Sequence, residues 1–148
     1  MDYRQNLVMD EARVAALIRS SRRVAVLGIK TEAQVGQPAF YVAEYLAKAG
    51  VEVIPVPVYF PQVKEILGRP IHRRLAGVPP PVDIVDVFRR PADIPQHVDD
   101  LLALRPRAVW FQLGIRHDEV ARTLAEAGLL VVQDRCLMVE WRRFGARA

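Results

Sequence analysis

The side chains that could do chemistry gather where apolar runs end. The run Val24-Ala25-Val26-Leu27 closes on Gly28-Ile29-Lys30-Thr31 and leads through Gly36 to a helix expected to open near Pro38. A glycine turn before a helix amino terminus suits an anion, because unpaired N–H groups and the helix dipole would face it. The segment matches neither G-x-G-x-x-G nor G-x-x-x-x-G-K-[ST], being longer and poorer in glycine. A structural strand-to-helix turn fits the pattern as well as a phosphate site does. Arg89 follows a third apolar run and is the charged residue best placed to meet a ligand, with a surface salt bridge as its alternative.

The remaining candidates read as structural. Cys136 could act as a thiol toward a ligand, but no general base is legible around it, and free cysteines are commonly packed inside. His72, His97 and His117 fall in separate segments without metal-ligand spacing; the last two sit near expected helix starts, where an exposed polar residue is usual. Asp83 and Asp86 lie on opposite faces of a strand, which defeats a carboxylate pair. Asp134 and Arg135 are expected to pair with each other or to cap the last helix. Trp110, Phe111 and Trp141 are expected in the core or an interface.

The elements that position these residues follow from hydrophobic period. Helical spacing marks residues 10–20, a second helix through Val42, Tyr45 and Leu46 stopped by Gly50, and a third opened by a capping box of Asp93 and Gln96 with Pro95 in its first turn. Further helices are expected over 118–127, before Gly128, and over about 135–143. A short helix is expected over 62–67. Continuous apolar runs at 24–28, 51–56, 82–88, 108–111 and 129–132 read as strands buried on both faces. Their alternation with helices predicts a Rossmann-like, three-layer α/β/α domain with a five-stranded parallel sheet, one domain over residues 1–148. The expected strand order is 3-2-1-4-5, with the switch point between strands one and four. Ligands of such sheets bind outside the strand carboxyl ends.

Composition narrows the class. A chain of 148 residues, 51% hydrophobic and 26% charged, can bury a core unaided. The net charge of +4 is spread over arginine pairs rather than concentrated on one face, which argues against nucleic acid. No apolar run reaches membrane-span length, no signal peptide is evident, and one cysteine suits a reducing compartment, so a soluble, cytoplasmic protein is expected. The second strand ends in Val53-Ile54-Pro55-Val56-Pro57-Val58-Tyr59, without the acid that would hold the ribose of NAD.

In order, the segments VAVLGIK, YVAEYLAKAGVEVIPV, EILGRPIHRRLAGVPPPVDIVDVFRRP, AVWFQLGIRHDEVARTLAEAGLLVV and QDRCLMVE resemble the small stand-alone CoA-binding proteins. These are similar to the amino-terminal CoA-binding domain of the succinyl-CoA synthetase α subunit. The resemblance spans about residues 22–143 and implies a Rossmann-like fold that binds coenzyme A or an acyl-CoA across the strand ends. It would lay the diphosphate over Gly28, Ile29, Lys30 and Thr31 near Gln37 and Tyr41, and the adenosine end by Val56, Pro57 and Val58. Further contacts would come from Phe88, Arg89, Gln112, Leu113 and Gly114.

The loop after the first strand departs from the family's short S-x-x-P-S-R-P-S/A-H pattern. It is longer, with Gln37 where an arginine is common and Phe40 where a histidine is common; Val56-Pro57-Val58 lacks the asparagine of V-N-P. The phosphorylated histidine of the synthetase belongs to a second domain that these segments do not resemble, so its activity is not implied. The reading is a binding protein for a small-molecule ligand without evident catalysis. Open alternatives are a nucleotide-dependent enzyme, of NAD-type or CoA-thiol chemistry, and a regulatory protein with a decayed site. Oligomeric state, a homo-oligomer included, is left open.

Overall fold

The computed structural model describes residues 2–145. Its main sheet has five parallel strands: β1 (Arg23–Leu27), β2 (Glu52–Val56), β5 (Ile84–Val87), β6 (Ala108–Phe111) and β7 (Leu130–Val132). Between β2 and β5 the chain makes a two-stranded hairpin, β3 (Glu65–Ile66) with β4 (Arg69–Pro70). Strand residues alternate between two cores. Val24, Val26, Val53, Ile84, Ala108, Trp110 and Val132 face α1 (Glu11–Arg19), α2 (Pro38–Lys48) and α5 (Leu137–Phe144). Ala25, Leu27, Ile54, Val56, Val85, Val87, Val109, Phe111 and Val131 face α3 (Val98–Leu104) and α4 (Asp118–Glu126). This is the expected three-layer α/β/α, Rossmann-like architecture.

The strand order differs from the expected one. It is β2-β1-β5-β6-β7, so the third major strand pairs with β1 and β2 forms the edge. The physical reason is visible in β2 itself. Pro55 lies inside it, paired in register with Val26, and a strand proline lacks the N–H that a second neighbour would need. The hairpin covers that edge: the His72 N–H donates to the Pro55 carbonyl (2.9 Å). The switch point therefore falls between β1 and β5, whose following helices lie on opposite faces.

Two local expectations also fail. Residues 62–67 are no helix; Leu67 (φ 56°) and Gly68 (φ 70°) form the two-residue turn of the β3–β4 hairpin, with both φ values positive as the tightest hairpin turns require. The capping box at Asp93 does not form, because the Asp93 carboxylate takes Arg90 Nε at 2.9 Å. The chain there makes two 3-10 turns, Pro91–Asp93 and Pro95–His97, before α3 begins. The other helices lie close to their expected spans. Asp10 caps α1 by accepting from the Arg13 N–H, and Gly128 (φ 93°) follows α4.

Candidate functional site

A cleft of about 550 Å³ opens at the carboxyl edge of β1, β5 and β6. The turn after β1 contributes Gly28 and Lys30, and the start of α2 contributes Gln37, Pro38, Ala39 and Tyr41. Tyr59 and Phe60 come from the segment after β2, and Phe88, Arg89, Arg90 and Pro91 from the one after β5. Gln112, Leu113, Gly114 and Ile115 follow β6, and Cys136 precedes α5. Parallel strands release all these segments at one edge, which is how distant stretches of sequence come to share a wall.

Arg89 dominates the electrostatics. It is only 9% exposed, and among the described residues no carboxylate lies within salt-bridge distance of it. Its Nε donates to His97 Nε2 at 3.1 Å, and its guanidinium carbon lies 6.0 Å from the Tyr59 ring centroid. His97 thus accepts as a neutral imidazole; burial first, then the neighbouring Arg89 charge, hold its pKa below the usual histidine value. A buried guanidinium answered by an imidazole and an aromatic face keeps donors for an external anion. The neighbouring Arg90, by contrast, is exposed and paired with Asp93.

Gln112 supplies the second buried donor. It is 3% exposed, and its Oε1 accepts from the Leu137 N–H at the start of α5 (2.8 Å). Its NH₂ makes no hydrogen bond to the described residues. The Lys30 ammonium donates to Gln37 Oε1, so the one lysine on the wall also lacks a carboxylate partner among the described residues. Gln37 is the N-cap residue of α2 but forms no side-chain cap.

The turn after β1 does not offer the row of free N–H groups that its sequence suggests. The Gly28 N–H donates to the Val56 carbonyl (2.9 Å), that of Lys30 to the Ala39 carbonyl (3.0 Å), and that of Thr31 to Gln34 Oε1 (2.9 Å). Gly28 is required for a different contact. At φ +83° a Cβ there would lie 2.2 Å from the Phe88 carbonyl oxygen, so glycine lets β1 and β5 come together as they leave the sheet.

Of the residues singled out from sequence, Gly28, Lys30, Gln37, Tyr41, Phe88, Arg89, Gln112, Leu113 and Gly114 line the cleft. Ile29, Thr31, Val56, Pro57 and Val58 do not. Ile29 is 1% exposed and packs with α2 in the core. Thr31 caps the 3-10 turn Glu32–Gln34 in a capping box. Val56 ends β2 inside the opposite core, Pro57 is buried, and Val58 borders a separate hollow with Arg73, Arg74 and His97. Phe40, the residue in place of a common histidine, is 1% exposed and faces the core.

Sequence reasoning missed Phe60 and reached Tyr59 only as the end of the apolar segment 53–59, although an aromatic pair between Pro57 and Pro61 was a legible sign of a surface loop. Cys136, expected to be packed, does pack against the core; it is half-buried and also borders the cleft. His97 is half-buried against Arg89, and His117 caps α4 by accepting from the Val120 N–H. Asp134 and Arg135 do not pair with each other. Asp134 accepts from the Gly114 N–H (2.6 Å), and Arg135 lies 3.6 Å from Glu140.

A larger hollow, about 730 Å³, lies beside β7 and the amino-terminal segment. Its arginines are engaged: Arg116 with Asp118, Arg135 with Glu140 and the Met9 carbonyl, and Arg122 with Glu126 and the Tyr3 ring. It offers less free donor capacity than the cleft. Among the described residues no cluster suited to a metal ion occurs, and no helix is long and apolar enough to cross a membrane.

A family model described as CoA binding domain matches residues 22–142. The protein YneT of Bacillus subtilis (strain 168) is 30% identical over 129 residues, covering 87% of this chain and 92% of that one. Among solved structures, cell-free ID.343 from Thermus thermophilus is 41% identical with a TM-score of 0.83, covering 92% of this chain and 99% of that one. A hypothetical protein from Pyrococcus horikoshii OT3 is 25% identical with a TM-score of 0.81, covering 93% and 94%.

Proposed function

This chain belongs to the CoA-binding domain family, and from that premise we propose that it binds coenzyme A or an acyl-CoA in the cleft between the ends of β1, β5 and β6. The observation that carries this reading is Arg89, a guanidinium 9% exposed on the cleft wall with no carboxylate partner among the described residues. A phosphate group answers that cation, and guanidinium geometry suits phosphate oxygens. Lys30 and the uncapped start of α2 add positive potential on the facing wall. The Gln112 NH₂ can donate to an amide carbonyl of the pantetheine arm, while Phe88, Leu113 and Ile115 give that arm apolar contact. Tyr59 and Phe60, which line the cleft, would hold the adenine face, a role the resemblance implies for Val56, Pro57 and Val58.

NAD is the poorer fit. The end of β2 presents Val56-Pro57-Val58, with no acid to hold ribose hydroxyls. In this reading the Arg89 guanidinium is steadied by its Nε bond to His97, and Arg89, Lys30 and Gln112 hold the ligand. Calorimetric titration with CoA, acetyl-CoA and NAD tests the proposal. CoA or acetyl-CoA is expected to bind at least about tenfold tighter than NAD, a difference of about 1.4 kcal/mol. Tighter binding of NAD would overturn it.

A further inference from the structure

Cys136 is the sole cysteine of the chain, half-buried on the wall of the cleft and in the N-cap position of α5, where its side chain makes no capping hydrogen bond. The place is marked independently as a ligand site. Gln112, 97% buried, is pinned by its Oε1 to the N–H of Leu137, the residue next to Cys136, and its NH₂ has no partner among the described residues. The apolar wall of Phe88, Leu113 and Ile115 lies in the same cleft. CoA carries a thiol at the end of an amide-bearing arm. A cleft that binds its phosphates near Arg89 and its arm amides at Gln112 brings that end toward Cys136.

We infer that Cys136 is a thiol–disulfide exchange site, at which the protein takes a CoA moiety from the disulfide form of the ligand as a mixed disulfide. The inference rests on the CoA reading of the cleft. In the step, the Cys136 thiol gives up its proton and its Sγ attacks one sulfur of CoA disulfide. The new S–S bond forms as the bond within CoA disulfide breaks, and the departing CoA thiolate takes up a proton. One thiol and one disulfide are consumed and one of each is produced, so no further oxidant or reductant is needed. Reduction by an external thiol reverses the step and restores Cys136.

Intact-mass spectrometry follows the step directly, and a single cysteine makes the attachment point unambiguous. The full chain is incubated with CoA disulfide, or with pantethine, the same disulfide without the nucleotide. The expected result is one CoA adduct per chain, formed at least about tenfold faster than the pantethine adduct because cleft binding raises the local concentration of the disulfide. Acetyl-CoA, which has no free thiol, is expected to slow it by competition, and Cys136→Ser is expected to give no adduct. Equal rates for the two disulfides, or no adduct at all, would overturn the inference. Titration with CoA under reducing conditions separates the two claims. CoA binding without an adduct removes the exchange site alone; absence of CoA binding removes the binding proposal as well.

Discussion

Replacing Gly28 by alanine tests how β1 and β5 are held together above the cleft. At φ +83° an alanine adopts a left-handed conformation that costs about 1–2 kcal/mol. Its Cβ would meet the Phe88 carbonyl oxygen at 2.2 Å and the carbonyl carbon at 3.1 Å. Both are backbone atoms, so no side-chain rotation relieves the overlap. The Phe88 N–H is tied to the Leu27 carbonyl at 2.9 Å, and the Gly28 N–H to that of Val56 at 2.9 Å. Relief requires β1 to move from β5, weakening hydrogen bonds worth about 0.5–1.5 kcal/mol each. The sum is about 2–5 kcal/mol, toward the upper end for single substitutions. Urea unfolding followed by circular dichroism should show the midpoint falling by about 1–2.5 M if the slope is about 2 kcal/mol per M. The sequence reading, in which glycine gives a phosphate access to backbone N–H groups, instead expects lost binding with a fold still detectable by circular dichroism. A Gly28→Ala variant within about 0.5 kcal/mol of the parent would refute the strand-contact argument.

Arg89→Ala is expected to weaken CoA binding about tenfold or more by calorimetry, the value of one charge-assisted hydrogen bond, and the loss should persist at high salt because the guanidinium is buried. Lys30→Ala is expected to cost less, with a loss that shrinks as salt rises, since this ammonium is more exposed; unchanged affinity in both variants at low salt would place the ligand elsewhere. Asp86 is fully buried without a hydrogen-bond partner, and burial holds its carboxyl well above the ordinary 3.8, so the folded chain retains a proton that the unfolded chain releases. Its contribution to stability is therefore full below about pH 3.8 and falls by up to about 1.4 kcal/mol per pH unit as pH rises toward the folded-state value. Asp86→Asn should lack that fall in urea unfolding from about pH 4 to about pH 8; identical pH profiles for the two proteins would contradict the assignment.

The sheet and its helices were legible because buried parallel strands announce themselves as unbroken apolar runs, and 108–111 matches β6 residue for residue. Strand order was not, since periodicity says nothing about neighbours; Pro55 held the missing clue and marked β2 as an edge. The hairpin at Leu67-Gly68 was hidden because two positive-φ residues outweighed a short apolar pattern that reads equally as helix. At the site, Arg89 and Gln112 could be named from their position after strand ends. That both are buried while keeping unsatisfied donors depends on His97 and the Leu137 N–H, partners remote from any local motif. Ile29 and Thr31 follow Gly28 immediately in sequence, yet one turns into the core and the other caps a turn. Proximity along the chain could not separate these roles.

The most direct test of the central claim is a two-dimensional amide NMR titration of the full chain with CoA. The account predicts that shifted resonances cluster on Lys30, Ala39, Tyr41, Arg89, Gln112 and Gly114, with the Gln112 side-chain NH₂ among them. Shifts confined to the hollow lined by Tyr3, Met9, Arg116 and Arg122, or no shifts at saturating CoA, would contradict it.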